Sequence, residues 1–173
     1  QGCYMGPAVD GSGFGSFGCM VGSHTDAVGF PYSKIRVIGN EIVAPISVGV
    51  RARSWNDSVI ANNIITGGAS GFGAIHGAQG VNNTSYRLAI TGNTLSGYSG
   101  SGISLSGTTS RTFESCTVTG NICHSAFADA PHIKIAGTNH STITGNSIRE
   151  GTSDGIELSA TSTHNTISAN QVY

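Results

Sequence analysis

The sequence predicts an all-β solenoid, a chain wound into about seven stacked coils of short parallel strands with a ladder of asparagines up one corner. Three observations carry this prediction. A pattern of apolar, any, small, Asn, any, apolar occurs six times. Between its copies, many segments alternate apolar and polar residues with the period of two that marks half-buried strands. Helical periodicity is absent, and Gly and polar clusters interrupt the chain too often for a helix of ordinary length.

The copies read Val37-Ile38-Gly39-Asn40-Glu41-Ile42, Val59-Ile60-Ala61-Asn62-Asn63-Ile64 and Ile90-Thr91-Gly92-Asn93-Thr94-Leu95. They continue as Val118-Thr119-Gly120-Asn121-Ile122-Cys123, Ile143-Thr144-Gly145-Asn146-Ser147-Ile148 and Ile167-Ser168-Ala169-Asn170-Gln171-Val172. The aligned asparagines Asn40, Asn62, Asn93, Asn121, Asn146 and Asn170 fall 22, 31, 28, 25 and 24 residues apart. In each copy the flanking apolar residues point into one core on either side of a turn. Gly or Ala lets the backbone turn tightly there, and Asn tolerates unusual backbone angles. Turns stacked about 4.8 Å apart bring each side-chain amide within reach of the next. A buried Asn without partners would cost about 1–3 kcal/mol, so one per coil makes sense only if the coils stack.

Taken in order, residues 1–32 form an irregular Gly-rich first coil with a long loop, in which Cys19-Met20-Val21 reads as a strand. Residues 33–173 form the regular coils, and the whole chain reads as one domain. Each coil carries a strand before its Asn, a strand after it, and a further strand. The further strands are Ile46-Ser47-Val48, Ala74-Ile75-His76, Ile103-Ser104-Leu105, Ile133-Lys134-Ile135 and Ile156-Glu157-Leu158. One corner varies in length from coil to coil and carries Phe72, Tyr98 and Phe127. Aromatic side chains at such tips suit sugar rings, whose faces are apolar, and equally suit packing over the sheet end.

A position in one coil recurs in space in the next, so residues can be read as columns. The further strands give the outward column Ser47, His76, Ser104, Lys134, Glu157, in which Lys134 and Glu157 pair across neighbouring strands. The strands after the Asn give Val43, Ile65, Ser96, His124, Arg149, Tyr173, whose last three form a polar patch able to hold an anionic sugar. The expected ligand-binding residues are therefore Phe72, Tyr98, Phe127, His124, Arg149 and Lys134.

Composition bounds the function. Charged residues make up 10 % and the net charge is −1, which argues against nucleic acid as a partner, since phosphate binding needs a basic patch. No apolar run approaches the length of a membrane span. Of the four cysteines, Cys116 and Cys123 fall at inward positions, and a Cys3–Cys19 disulfide is open. No Cys-x-x-Cys pair points to zinc, and no metal or cofactor is expected.

With its repeated Asn turns and alternating strands, the chain resembles the right-handed single-stranded parallel β-helix, the fold of pectate lyases and many phage tailspikes. The resemblance covers about Ser33 to Tyr173 and implies a structural or receptor-binding module of a tailspike or tail fibre, extracellular or on a virion surface, contacting bacterial polysaccharide. The alternative it implies is a secreted lyase, epimerase or hydrolase. A glycosidase would show two carboxylates about 5–10 Å apart. Asp129 and Asp154, near one corner and one coil apart, are the best candidates, with Glu157 and His132 beside them. Asp129-Ala130-Pro131-His132 is loosely similar to the acid–Pro–His cluster of alginate epimerases, with Ala130 inserted and Ile133 where a carboxylate is expected. His132-Ile133-Lys134 is distantly similar to the basic strand of polygalacturonases, whose other motifs are missing. The nine acids are too scattered for a calcium-dependent pectate lyase. The reading therefore leans away from catalysis.

Asn56-Asp57-Ser58, Asn82-Asn83-Thr84 and Asn139-His140-Ser141 match the N-glycosylation pattern. The chain also reads as a piece of a longer protein or as a subunit of a homo-oligomer, either a trimer or an end-to-end stack in an extracellular filament, because the ends of a β-helix are open edges.

Overall fold

The computed structural model describes residues 4–5, 19–21, 32–43, 47–68, 73–79, 84–124, 126–127, 129–159 and 161–173. Every strand pairing among them is parallel. Three long sheets run along the solenoid. Sheet I holds the six strands that precede the asparagines, Arg36–Ile38, Ser58–Ala61, Leu88–Thr91, Thr117–Thr119, Thr142–Thr144 and Thr166–Ser168. Sheet II holds the seven that follow them, Tyr4–Met5, Glu41–Val43, Ile64–Thr66, Thr94–Ser96, Ile122–His124, Ser147–Arg149 and Gln171–Val172. Sheet III holds Cys19–Val21, Val50–Arg53, Ile75–Ala78, Ile103–Ser106, Ile133–Ala136 and Ile156–Leu158.

The six strands of sheet I bound five complete revolutions, fewer than the seven coils expected. The difference lies at the two ends, where Tyr4–Met5, Cys19–Val21 and Gln171–Val172 fall outside the complete revolutions. The fragments at 4–5 and 19–21 pair with Glu41–Val43 and Val50–Arg53, adding one strand each to sheets II and III ahead of the first complete revolution.

The alternation of each strand sends one set of side chains inward. Val37, Ile60, Ile90, Val118 and Ile143 come from sheet I, and Ile42, Ile65, Leu95, Cys123 and Ile148 from sheet II. Val50, Ile75, Ile103 and Ile133 complete the column from sheet III, and all of these are buried. Each such aliphatic side chain contributes about 1.5–3 kcal/mol by leaving water. Cys116 and Cys123 are buried as expected, and burial pushes their thiols up to about 11 and about 12, so both stay protonated and inert. Cys19 is a free thiol, and Cys3 lies outside the described residues.

The ladder corner is saturated with hydrogen bonds. Asn93 Nδ2 donates to Asn121 Oδ1 at 2.9 Å and to the Ile60 carbonyl at 3.0 Å, while its backbone N–H donates to the same Asn121 Oδ1 at 3.0 Å. Asn121 repeats this toward Asn146 and Ile90, and Asn146 toward Asn170 and Val118. The second rung corrects the sequence reading. Asn63, not Asn62, takes the place between Asn40 and Asn93, at 2.9 Å from each. Asn62 is exposed, with φ of 54°, and stands in the column of Gly39, Gly92, Gly120, Gly145 and Ala169, all in the left-handed region. Asn visits that region more readily than most residues, so Asn62 fills the glycine's place and the true ladder residue follows it.

A second corner, before sheet I, has its own left-handed column: Lys34, Asp57, Arg87, Ser115, His140 and His164, with φ between 49° and 60° and no glycine among them. Neighbours in this column touch. Arg87 Nε meets Asp57 Oδ1 at 2.5 Å, and the His140 and His164 rings stack with centroids 4.9 Å apart. The glycosylation-pattern residues Asn56 and Asn139 sit just before it, and each accepts a backbone N–H from the next coil, Tyr86 at 2.8 Å and Thr163 at 3.1 Å. Asn82 is outside the described residues.

Replacing Asn121 by Leu strands the Asn93 amide and backbone N–H, so stability should fall by about 1–3 kcal/mol for each group left buried without a partner. Asn62→Gly should stay within about 0.5 kcal/mol, as for other exposed sites. Urea unfolding of both variants checks this, and a costlier Asn62 change would overturn the ladder assignment.

Candidate functional site

The outer face of sheet II brings together most of the residues with binding chemistry. Its two outward columns are set by register. One runs Glu41, Ile64, Thr94, Ile122, Ser147, Gln171, and the other Val43, Thr66, Ser96, His124, Arg149. Thr66 therefore replaces the expected Ile65, which points into the core; the displacement comes from the same one-residue slip as Asn62. Tyr173 continues the second column, its N–H bonded to the Ile148 carbonyl at 3.0 Å and its ring 4.8 Å from the Arg149 guanidinium carbon. Arg149 is thus oriented by a cation–π contact.

Between these columns lies a cavity of about 300 Å³ lined by Ile122, His124, Ser147, Arg149 and Glu150. Glu150 and Ser147 were not singled out from the sequence. Glu150 enters because it takes a left-handed φ of 58° directly after the strand, which no local sequence signal marks. Ile122 is 44 % exposed and offers an apolar floor next to the polar wall. Beyond His124 on the same coil, Phe127 is 78 % exposed, with its backbone N–H bonded to the Tyr98 carbonyl and its ring against Gly97. Its exposed face is open to a ligand.

Tyr98 does not join it. The expected exposed aromatic is fully buried, with its ring edge-on to His132 at 5.7 Å and its hydroxyl hydrogen-bonded to His132 Nδ1. Burial, followed by the neighbouring Cys123, pushes its phenol well above the ordinary value. The alternation rule places Tyr98 at a loop tip, but the small residues Gly100, Ser101 and Gly102 let the turn fold back and carry the ring inward. Phe72 lies outside the described residues.

The acid candidates separate. Asp129 and Asp154 are exposed at the corner between sheets II and III, where the Asp154 carbonyl accepts the His132 N–H at 3.1 Å. Glu157 is on sheet III, and Lys134 Nζ holds its carboxylate at 3.3 Å as the column predicted. Lys134 is therefore on a different sheet from His124 and Arg149 and is engaged in that pair. His132 is buried. The sheet III column itself begins with Arg51 rather than Ser47 and continues through His76, Ser104 and Lys134. The strand starts at Val50, four residues later than expected, directly after Gly49, where a side chain would collide with Ile65 and the Ala74 carbonyl. Burial, then Arg51 and Arg53, lowers His76 to about 4, so it is neutral at pH 7. Among the described residues no group of three or more His, Cys, Asp or Glu is placed to hold a metal ion.

Residues 89–173 match the family described as the right handed beta helix region. A search of curated proteins finds no match. Among solved structures, a provisionally assigned glycosyl hydrolase from Parabacteroides merdae ATCC 43184 is similar at 9 % identity and a TM-score of 0.34, over 79 % of this chain and 82 % of that one. The coils before residue 89 stack on the matched ones in the same parallel register and on the same ladder, and the chain is a right-handed parallel β-helix repeat protein.

Proposed function

We propose that this β-helix is a structural, receptor-binding module of the tailspike or tail-fibre kind, and that it holds bacterial surface polysaccharide on the outer face of sheet II. The observation that carries the reading is the cavity itself, where Arg149 stands over Tyr173 beside His124, with the exposed Phe127 three residues beyond His124 on the same coil. A guanidinium pairs in two-pronged fashion with a carboxylate, and an aromatic face suits the apolar face of a pyranose. The ligand class that fits both is an acidic polysaccharide, lying along the solenoid axis so that successive sugars meet successive coils. The extracellular or virion-surface setting and a homo-oligomeric assembly go with this reading.

The rival reading is a polysaccharide-cleaving enzyme. Its acids would be Asp129 and Asp154, the only pair of candidate carboxylates at one corner, with His132 behind them. Cleavage by general acid catalysis calls for a carboxyl held protonated by its surroundings, and both of these residues are exposed to water. Binding without cleavage is the better fit.

Titration calorimetry against carboxylated and neutral bacterial polysaccharides tests the proposal. Binding should favour the carboxylated set and weaken as salt rises. Arg149→Ala should lose about tenfold or more in affinity, the size of a charge-assisted bond. Equal binding of the neutral set, or no effect of Arg149→Ala, would overturn the site. Release of new reducing ends, abolished by Asp129→Asn or Asp154→Asn, would favour the enzyme.

Two substitutions separate the exposed aromatic from the buried one. Phe127→Ala should weaken binding while leaving stability within about 0.5 kcal/mol. Tyr98→Phe removes the hydroxyl from His132 and should cost about 1–3 kcal/mol in unfolding free energy, with ligand affinity unchanged. Chemical denaturation and the same calorimetry read both.

A further inference from the structure

His132 is 1 % exposed, and one of its ring nitrogens has no hydrogen-bond partner. Its Nδ1 is bonded to the Tyr98 hydroxyl, which also bonds the thiol of Cys123. Its Nε2 has nothing. Tyr98 has one proton to give. If that proton goes to Nδ1, Nε2 carries a buried, unmet N–H. If Nδ1 carries the proton, Tyr98 gives its own to Cys123 and Nε2 is a buried, unmet lone pair. Both tautomers leave one polar atom stranded, a cost of about 1–3 kcal/mol.

What covers Nε2 is Gly151. A β-carbon at that position would collide with Nε2 and with Cδ2 of the ring. Gly151 opens the turn from Gly151 to Asp154, whose residues are all exposed, and the turn leaves sheet II through the left-handed Glu150. Glu150 is also a wall of the sheet II cavity. The covering turn, the strained residue at its root and the stranded nitrogen beneath it therefore form one unit beside the cavity.

We propose that residues 150–154 are a hatch over His132 that opens when the imidazole takes up a proton. A charged imidazole must donate from both nitrogens. Nδ1 can turn its proton toward the Tyr98 oxygen, but Nε2–H has no acceptor while Gly151 covers it. Lifting the turn gives that N–H water, or a hydroxyl or carboxylate oxygen of a bound ligand. The groups facing the ring are Tyr98 from the loop after Thr94–Ser96, Cys123 and His124 from Ile122–His124, and Glu150 and Asp154 at the two ends of the covering turn. Asp154 meets His132 through its carbonyl. Glu150, Thr152 and His124 each have a partner of their own.

The direction of the linkage follows from the ring's surroundings. Burial, and then the nearby His124, hold His132 below the ordinary histidine value of 6.5. Protonation thus favours the open hatch. The closed form keeps its full advantage above that value and loses it as the pH falls below it. Because Glu150 moves with the turn, an acid shift changes the shape of the cavity wall as well as exposing a new donor.

Hydrogen exchange read by mass spectrometry tests this on the free protein, so its failure leaves the polysaccharide reading standing. After correction for the intrinsic rate, peptides spanning 149–156 should lose about tenfold in protection for each unit by which the pH falls below the onset, the slope of a one-proton opening. Peptides from sheet I should not change in step. His132→Gln cannot gain a proton and should abolish the pH dependence of the turn. Equal protection at pH 7.5 and pH 5, or an unchanged pH response in His132→Gln, would overturn the hatch. If His132→Gln does not fold, the wild-type protein decides by nuclear magnetic resonance. The Gly151 amide and the His132 ring must then share one midpoint below 6.5; a ring that titrates without moving Gly151 would sink the proposal.

Discussion

The structure depends on how one side-chain amide per coil is used up. Asn93, Asn121 and Asn146 each donate both Nδ2 protons, one to the next asparagine and one to a carbonyl of the coil before. The Oδ1 of each accepts both the backbone N–H and the Nδ2 of the preceding rung, as when Asn121 receives from Asn93 and Asn146 from Asn121. No donor or acceptor is left over, and the amides are buried where water cannot replace a lost bond. A slip of the Asn121 coil by a residue would break the five bonds this rung makes to its neighbours and turn every core side chain of that strand outward. The ladder fixes register absolutely at one point in each turn.

That fixed point is what permits the rest to vary. The rungs follow one another along the chain after 23, 30, 28, 25 and 24 residues, yet the sheets stay in register throughout. The differences are absorbed mainly between sheet III and sheet I, where the steps from Val50, Ile75, Ile103, Ile133 and Ile156 to Val59, Ala89, Thr117, Thr142 and Thr166 take 9, 14, 14, 9 and 10 residues. The candidate binding chemistry lies on the face of sheet II and at its more uniform corner with sheet III, where Tyr98 tucks in, Phe127 stands out, and the Gly151 turn crosses His132.

The same division explains what the sequence disclosed. The fold was legible because the ladder and the core columns are periodic, and periodicity survives without coordinates. The failure within the ladder, Asn62 for Asn63, arose because an Asn–Asn pair offers two amides and only the left-handed backbone at the first decides between them. It carried Ile65 into an outward column by the same step. The site was less legible. His124 and Arg149 were found because they sit on a strand and follow its alternation. Tyr98, Glu150 and the strand at Val50 were not, since their placement depends on turn conformation and on what packs against a glycine, neither of which has a period. The stranded nitrogen of His132 is a property of three dimensions alone.

The column of left-handed residues from Lys34 to His164 has a different consequence. Holding a non-glycine residue there costs of order 1–3 kcal/mol, and the neighbouring coils over-determine the backbone enough to hold it at six successive turns. The conformation is thus imposed by the stack and not chosen by the residue, which is why a lysine, an aspartate, an arginine, a serine and two histidines all accept it. Such a corner works as a rail of addressable positions about 4.8 Å apart, pointing the same way and nearly indifferent to what they carry. The Asp57–Arg87 pair and the His140–His164 stack are two inscriptions already on it. Charge, aromatic surface or a chemical handle can be written along this edge without touching the core, the ladder or the sheet II cavity.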